Sequence, residues 1–404
     1  MSLPAPLDLD AARQRILAGM PAPSAVERVP LDQALGRVAA EDCLARIDLP
    51  PFNASAMDGY AFRWRPGLTR LQLVGASLAG HPFTGRVADG GAVRITTGAA
   101  LPDDCDTVVV QEDCAQSGAA LALSSLPSRG GNVRLRGHDL RQGGIIAARG
   151  RRLNAFDIGT LAAAGIDAAT VFARPRIAVL SSGDELQSPG TPLVHGNIYD
   201  SNRHAVAGLL SQLPVAVRNL GVLADDANAI ADALTAASDE CSLILTSGGV
   251  SVGDADLVKS TLQRLGELDF WRLNLKPGKP LAFGRIGQAR LMGLPGNPVS
   301  TIVTYLLLAK PAAQALCGMA PEQPLTLRCR LTQAVRHKPG REEYLRGAAT
   351  TAQGAAQVTP TGDQSSNRMS TFAAANCLVR IPKNDGDLPI GAWVEVLPFT
   401  GLAS

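Results

Sequence analysis

A glycine-rich loop directly follows a short apolar run near the middle of the chain. Residues 242–256 read SLILTSGGVSVGDAD, and the loop carries Gly248, Gly249 and Gly253. Apolar residues after the loop recur at helical spacing. A strand that ends in such a loop before a helix presents bare backbone N–H groups to an anion, because glycine allows positive φ and a close approach of the main chain. The segment therefore predicts a phosphate site.

Two carboxylates follow the glycines in the same segment. Asp254 and Asp256 would repel an anion unless a divalent cation lay between them and the phosphates. We therefore expect a combined phosphate and metal site, with Ser251 in its loop. The alternative is a tight turn in which Asp254 caps the following helix.

The composition limits the classes of function. A chain of 404 residues is long enough for roughly two to four domains, and 46% apolar residues can build their cores. The net charge is +2 with both signs interspersed, so nothing indicates a nucleic-acid partner. The seven scattered cysteines form no Cys-x-x-Cys pair, which is typical of reduced thiols. With no secretion signal and no apolar run of the ~20 residues that span a bilayer, we expect a soluble, cytoplasmic protein with no membrane partner.

Changes of pattern along the chain predict four structural parts. Residues 8–45 and 145–172 have apolar residues at helical spacing, whereas residues 60–145 alternate in short runs between Gly, Pro and Asp. From residue 176, apolar strands alternate with helices, which predicts a doubly wound, mostly parallel α/β sheet. The predicted helices of that sheet cover residues 200–212, 226–238, 254–266 and 297–317. The parts are an elongated helical segment (1–45 and 145–173), an inserted small β domain (46–144), an α/β domain (174–321) and a C-terminal β-barrel (322–404).

The predicted parallel strands end in small or polar residues. These ends are SSGDEL, NLGVLADD, the glycine-rich loop and GLPGNP. Ligands bind beyond the carboxyl ends of such strands. Asn297 is also the predicted N-cap of its helix, and one of Asp225 and Asp226 is expected to cap the next helix along the chain. We expect the ligand to contact Ser182, Gly183, Ser247, Gly248, Gly249, Ser251, Gly253, Pro295, Gly296, Asn297 and Pro298.

Charged residues near these ends indicate how a phosphate would be held. Lys276 and Lys279 flank a Pro-Gly turn, so both ammonium groups either face one ligand or are ordinary surface lysines. Glu185, Asp254 and Asp256 are the predicted metal ligands, provided that the strand order brings them together. The five histidines show no metal-ligand spacing, and no Ser-His-Asp or Cys-His arrangement is evident. Charge positioning is therefore favoured over nucleophilic catalysis.

Seven motifs carry a resemblance to a known family. In chain order they are PPFNASAMDGYA, RITTGAALP, GHDL, SSGDEL, SGGVSVGDAD, KPGKP and GLPGNPVS. Together they resemble the molybdopterin molybdenumtransferase family, or MoeA family, which includes the E domain of gephyrin. The resemblance covers nearly the whole chain and implies the same four-part fold.

The resemblance also implies an activity and an assembly. The implied reaction inserts molybdenum from molybdate into adenylylated molybdopterin, requires Mg²⁺ and releases AMP. The implied assembly is a homodimer, with the cleft between the α/β domain of one subunit and the inserted domain of the other. The implied protein partners are a molybdopterin adenylyltransferase and apo-molybdoenzymes or their chaperones.

The resemblance assigns roles to particular residues. Asp58 and Thr97 would reach the site across the dimer interface, although Asp58 could instead accept N–H groups within its own turn. Arg272 stands where some relatives have lysine, and its planar guanidinium is not equivalent to an ammonium group. The implied catalytic residues are Asp58, Thr97, Asp139, Glu185, Asp225, Lys276, Lys279 and Arg346.

The barrel is also implied to contribute to the site. Arg346, with Arg272 and Lys279, would help to bind molybdate. The segment QSSN leaves Ser365 and Ser366 as alternatives, of which Ser366 is the predicted ligand-binding residue.

Three other functions are compatible with parts of the sequence. They are adenylylation of molybdopterin by a related α/β domain, a gephyrin-like scaffold without enzymatic activity, and a competence-damage type of nucleotide binder that shares the glycine-rich loop. Residues 1–172 and 322–404 are unexplained by an adenylylating α/β domain alone, so the transferase is favoured.

Overall fold

The structure is a computed structural model that describes residues 6–249, 257–320, 324–352 and 354–402. Within these ranges the strands form three six-stranded sheets and four two-stranded sheets. The three large sheets belong to the inserted domain, to the α/β domain and to the C-terminal barrel. They confirm the predicted fold class.

The prediction of helix across residues 8–45 and 145–172 is wrong for most of both segments. Only Leu9–Gly19, Leu31–Ala34 and Ala155–Ala163 are helical there. Prolines interrupt the apolar pattern of the first segment, and a proline inside a helix removes a hydrogen bond. The apolar residues between the helices belong to strands instead.

Two antiparallel strand pairs join the segments that flank the inserted domain. Val26–Pro30 pairs with Ala168–Phe172, and Cys43–Leu44 pairs with Ile145–Ala147. Between them lies a small core that includes the fully buried Leu161 of the helix. The two segments therefore pack together although their paired strands are more than 100 residues apart along the chain.

The inserted domain is an all-β unit, as the sequence predicts. One face of its main sheet packs around Ile95 and Val108, and the other face packs around Phe62 and Leu121. A separate pair joins Ala54–Ser55 to Val133–Arg134. The strands of the main sheet, in spatial order, are Thr107–Val110, Gly59–Phe62, Gly91–Ile95, Arg70–Ser77, Ala120–Leu123 and Cys114–Ser117.

The α/β sheet has four parallel strands and an antiparallel extension. The chain starts at Arg176–Ser182, adds a strand on one side of it and then returns to add Leu243–Ser247 on the other side. This reversal of direction is the place where doubly wound sheets open a binding crevice. The last two strands form an antiparallel pair that the sequence analysis missed. The spatial order is Ala216–Leu223, Arg176–Ser182, Leu243–Ser247, Ala289–Leu294, Pro280–Ile286 and Gly266–Arg272.

Helices cover both faces of this sheet. Asn202–Leu210 and Pro298–Leu316 share one core with Val179 and Leu245, whereas Ala227–Glu240 and Leu257–Leu265 share the other with Leu180 and Ile244. Successive strand residues thus point into opposite cores, as the period of two requires. The predicted helices 200–212, 226–238 and 297–317 are confirmed, and the described part of 254–266 is helical.

The helix Pro298–Leu316 is long and apolar enough to cross a membrane by length and composition alone. It consists of α-helical turns at Pro298–Thr304 and Lys310–Leu316 around a π-helical turn at Tyr305–Ala309. In the structure 83% of its apolar 18-residue stretch is buried inside the protein. Its apolar character is thus explained by burial in the core of the α/β domain.

Five strands of the C-terminal part close into the predicted barrel. The ring closes because Glu342–Ala352 pairs with Ala355–Pro360 on one side and with Cys377–Ile381 on the other, and the two remaining strands connect those two. The short strand Leu275–Lys276 of the α/β domain also adds to Glu342–Ala352 in parallel, so the two domains are joined by backbone hydrogen bonds. The barrel strands are Leu327–Leu331, Glu342–Ala352, Ala355–Pro360, Cys377–Ile381 and Trp393–Pro398.

A buried ion pair fixes the start of the helix Asn202–Leu210, which lies beside the strand Arg176–Ser182 of the α/β sheet. Arg203 Nε lies 2.7 Å from Asp200 Oδ2, and the two side chains are 7% and 1% exposed. We expect Arg203→Met to lower the free energy of unfolding by about 3–5 kcal/mol, because it leaves a buried carboxylate uncompensated. In the exposed pair of Arg176 with Glu240, the matched change Arg176→Met should cost less than about 1 kcal/mol. Denaturant titration of both variants tests this, and equal losses would contradict it.

Candidate functional site

A cleft of about 620 Å³ opens at the carboxyl ends of the parallel strands. Its walls come from the predicted strand ends, so the strand order does bring these separate segments together. The cleft also has walls that the sequence analysis missed, among them Tyr199, Asn202 and Asn367. A sequence signal for Asn202 exists, because the run Asp-Ser-Asn precedes helical spacing as helix-starting residues do. The predicted residues in the lining are Ser182, Gly183, Glu185, Asp225, Ser247, Gly248, Gly249, Pro295, Gly296, Asn297 and Pro298.

The glycine-rich loop lies close against the first strand of the sheet. Gly248 and Gly249 have φ of +87° and +65°, a conformation that favours glycine. A Cβ atom on Gly248 would lie 2.4 Å from the carbonyl oxygen of Ser182. Both properties of glycine that the sequence analysis invoked are therefore used here. The predicted residues Ser251, Gly253, Asp254 and Asp256 lie outside the described residues.

Two buried polar atoms in the cleft have no hydrogen-bond partner among the described residues. They are Ser182 Oγ and Asn202 Oδ1. Ser182 is 3% exposed, so bulk water does not satisfy its hydroxyl group. Because buried polar groups in proteins are nearly always hydrogen-bonded, these atoms indicate that a polar ligand completes the site.

The Pro-Gly-Asn-Pro loop starts the long core helix at the predicted residue. Asn297 occupies the predicted N-cap position, but its side chain makes no capping hydrogen bond. The backbone N–H of Val299 donates instead to the carbonyl oxygen of Ser366, at 3.0 Å. Asn297 Nδ2 donates to Ser366 Oγ, also at 3.0 Å. The structure thus brings Ser366 of the barrel, rather than Ser365, to this loop.

Arg346 does not line the cleft. It is fully buried, and its guanidinium group donates to the backbone carbonyl oxygens of Asp363, Gln364 and Ser365 and to the hydroxyl of Thr371. The expected direct contact with molybdate is not available in this conformation because four hydrogen bonds occupy the side chain. Arg346 instead holds the loop that presents Ser366.

The two lysines of the KPGKP segment do not line the cleft either, although the following residue, Pro280, does. Lys276 Nζ forms an ion pair of 2.8 Å with Glu343 of the barrel. Glu343 is 4% exposed and also accepts a hydrogen bond at 2.8 Å from Nδ1 of the buried His337. The ammonium group of Lys276 is therefore engaged by a buried carboxylate.

One corner of the cleft concentrates negative charge. Partial burial, and then the nearby carboxylates of Asp184 and Glu185, raise the pKa of Asp225 above its usual range. A Cβ atom on Gly183, which has φ of +150°, would lie 2.5 Å from Glu185 Oε2, so the carboxyl group folds closely over this glycine. No three His, Cys, Asp or Glu side chains of the described ranges are grouped so that they could hold a metal ion by themselves.

The predicted site residues of the inserted domain lie apart from this cleft in their own chain. Asp58 Oδ1 accepts hydrogen bonds from Thr97 N at 2.6 Å and from Thr97 Oγ1 at 2.9 Å. These bonds hold the pKa of Asp58 below its usual range. Asp58, Thr97 and Asp139 are all exposed, and none of them lines the cleft. Asp58 thus binds a neighbouring loop rather than its own turn.

The helix after Asp225 begins as predicted. Asp226 caps it by accepting hydrogen bonds from Asn228 N and Ala229 N. Asp225 is thereby left to face the cleft.

We expect Gly248→Ala to destabilise the α/β domain by about 1–3 kcal/mol, because it adds a clash with the Ser182 carbonyl to the cost of a positive φ. The control is Gly165→Ala, which has φ of +79° but open space around the added Cβ. Thermal unfolding of both variants measures the difference. If the two substitutions cost the same, the close packing of the loop is not required.

Asp225→Asn should stabilise the ligand-free protein at neutral pH, since it removes a carboxylate whose ionisation the fold opposes. The raised pKa means that the unfavourable charge is present above that pKa and absent below it. The gain in melting temperature should therefore shrink as the pH falls through the raised pKa of Asp225. Asp232→Asn on the exposed side of the next helix serves as the control. A gain that does not depend on pH would contradict the electrostatic explanation.

The chain is similar to known proteins along nearly its whole length. Residues 7–165 match the MoeA N-terminal region (domain I and II), residues 178–315 the probable molybdopterin binding domain, and residues 328–399 the MoeA C-terminal region (domain IV). The chain is 37% identical to a molybdopterin molybdenumtransferase of Haemophilus influenzae, over 98% of this chain and 99% of the relative. It is 32% identical to a molybdopterin molybdenumtransferase of Nostoc, over 92% and 88%.

A solved structure supports the same assignment. The crystal structure of a molybdopterin biosynthesis MoeA protein from Pyrococcus horikoshii superimposes with a TM-score of 0.80 at 30% identity, over 98% of this chain and 99% of that chain. The similarity covers the helical segment, the inserted domain, the α/β domain and the barrel alike. The chain therefore belongs to the molybdopterin molybdenumtransferase family.

Proposed function

We propose that this chain is an enzyme of molybdenum cofactor biosynthesis that transfers molybdenum from molybdate to adenylylated molybdopterin and releases AMP. The observation that carries the proposal is the cleft at the sheet edge, where bare glycine backbone, unpartnered polar atoms and carboxylates converge in a chain of this family. The rival reading, adenylylation of molybdopterin, gives no role to the inserted domain or to the barrel.

The cleft offers complementary environments for the parts of such a substrate. Gly248 and Gly249 keep side chains away from the loop, so that a phosphate group can approach main-chain N–H groups. Ser182 Oγ is a hydrogen-bond donor available to the same ligand. The rigid Pro-Gly-Asn-Pro loop, fixed by Ser366, orients the substrate so that the reacting groups meet.

The acidic corner fits a magnesium ion that is shared with substrate phosphates. Mg²⁺ is commonly held by one or two carboxylates together with phosphate oxygens, rather than by a complete protein cage. Glu185 and Asp225 supply two carboxylates. Asp254 and Asp256, which follow the glycine-rich loop in the sequence, are the further proposed ligands of the ion. When bound, the ion would neutralise the charge on the phosphoanhydride and lower the cost of breaking it. It would also offset the partial burial and the repulsion that together raise the pKa of Asp225.

We further propose a homodimer in the cytoplasm. The first structural part exposes large apolar side chains, including Phe156 at 85%, Leu35 at 60% and Ile145 at 56%. Ile145 lies directly opposite the exposed Leu44 in the neighbouring strand, and contiguous apolar surface of this kind marks protein interfaces. A dimer would allow Asp58 and Thr97 of one subunit to complete the cleft of the other. A cytoplasmic site agrees with the seven free cysteines, and a molybdopterin adenylyltransferase and apo-molybdoenzymes or their chaperones are the proposed partners.

Turnover of adenylylated molybdopterin with molybdate and Mg²⁺ tests the proposal directly. We expect Glu185→Gln to lower kcat by at least about 100-fold, because it removes charge that stabilises the reacting groups. Glu41→Gln, on an exposed surface outside the cleft, should leave kcat unchanged. If wild-type protein releases no AMP, or if both variants behave alike, the proposed function is wrong.

Mixing two inactive variants tests the shared site. Asp58→Ala and Glu185→Gln should each be inactive as pure dimers. Mixed with subunit exchange, they should regain about a quarter of wild-type activity, since half of the dimers are hybrid and each hybrid has one intact site. No recovery, with exchange shown by mass spectrometry, would place the site within one chain.

A further inference from the structure

Asn202 connects the two ligand-facing loops of the cleft. It is the first residue of the helix Asn202–Leu210 and lines the cleft. Its Nδ2 atom donates to Ser247 Oγ at 2.8 Å and to the carbonyl oxygen of Gly296 at 2.7 Å. One side chain thus joins the end of the third parallel strand to the Pro-Gly-Asn-Pro loop.

The orientation of this amide is fixed by its partners. The carbonyl oxygen of Gly296 can only accept a hydrogen bond, so the nitrogen of Asn202 must face it. A flipped amide would place two acceptors against each other. Both amide hydrogens are therefore used within the protein, and the remaining capacity of the side chain is acceptance by Oδ1.

The backbone that carries Asn202 is also anchored. Asp200 accepts hydrogen bonds from Ser181 Oγ at 3.0 Å and from Arg203 Nε at 2.7 Å. The helix start is thereby fixed to the first strand of the sheet. Asn202 Oδ1 is buried and has no partner among the described residues. A preorganised, unpartnered acceptor in a ligand cleft selects for a donor on the ligand.

We propose that Asn202 is a recognition residue whose Oδ1 accepts a hydrogen bond from a neutral N–H or O–H group of the bound substrate. The inference rests on the proposed function and adds the chemical class of the substrate group that lies at Asn202. Fully ionised phosphate oxygens only accept, so they are repelled here and bind at the glycine-rich loop instead. Two parts of adenylylated molybdopterin carry such donors: the amino and amide edge of the pterin, and the amino and hydroxyl groups of adenosine.

Calorimetric titration with molybdopterin and with AMP as separate probes distinguishes these sources. We expect Asn202→Ala to weaken the binding of one probe by at least 10-fold and that of the other by less than 3-fold. Asn228→Ala, an exposed asparagine outside the cleft, is the matched control.

The outcomes separate this inference from the proposed function. The recognition role is overturned if Asn202→Ala binds each probe as tightly as wild type does, or if the substitution weakens the binding of both probes equally. Either result leaves the proposed function standing. Failure of wild-type protein to bind either probe would overturn the proposed function itself.

A ligand-side test applies if Asn202→Ala does not fold. In that case wild type is titrated with analogues of AMP that lack one donor each, namely 2′-deoxy-AMP, 3′-deoxy-AMP and purine riboside monophosphate. A loss of at least 10-fold for one of them assigns the donor to adenosine. If all three bind like AMP, the same comparison with an N-methylated pterin decides, and unchanged binding there overturns the proposal.

Discussion

The contact between the glycine-rich loop and the first parallel strand is the constraint on which the cleft depends. Gly248 passes so close to the carbonyl oxygen of Ser182 that no side chain fits between them. This approach closes one side of the cleft and keeps Ser182 Oγ buried. Most of the remaining walls are then placed by the sheet, since they come from segments that follow parallel strands, whereas Asn367 comes from the barrel. The position of a few backbone atoms therefore determines the shape of the site.

The barrel is part of the site rather than an appendage to it. Ser366 bonds the Pro-Gly-Asn-Pro loop, and Glu343 engages Lys276. In both cases a charged or polar group of one domain is satisfied by the other, so the two domains hold each other in register. The guanidinium group of Arg346 serves the same end from within the barrel, because it holds the loop that carries Ser366.

The sequence predicted the cleft better than it predicted the contacts around it. Strand ends such as those at Ser182 and Gly248 could be identified because short apolar runs stop at small residues, and parallel strands all end at one edge. The partners of Lys276 and Asn297 could not, since they come from the barrel and depend on how two domains pack. The partners of Arg346 lie within the barrel itself, on a loop further along the chain. Helix was over-predicted before the inserted domain for a similar reason. The strand Val26–Pro30 is stabilised by Ala168–Phe172, whose distance along the chain hides the pairing.

The long core helix has a consequence for the synthesis of the chain. Pro298–Leu316 is as apolar as a segment destined for a lipid bilayer, yet the strands that bury one side of it all precede it in the chain. Domains generally form from the N-terminal side during translation. When this apolar segment leaves the ribosome, all strands of the sheet that covers it have already been synthesised. Its exposure to membrane-insertion machinery or to aggregation is therefore brief.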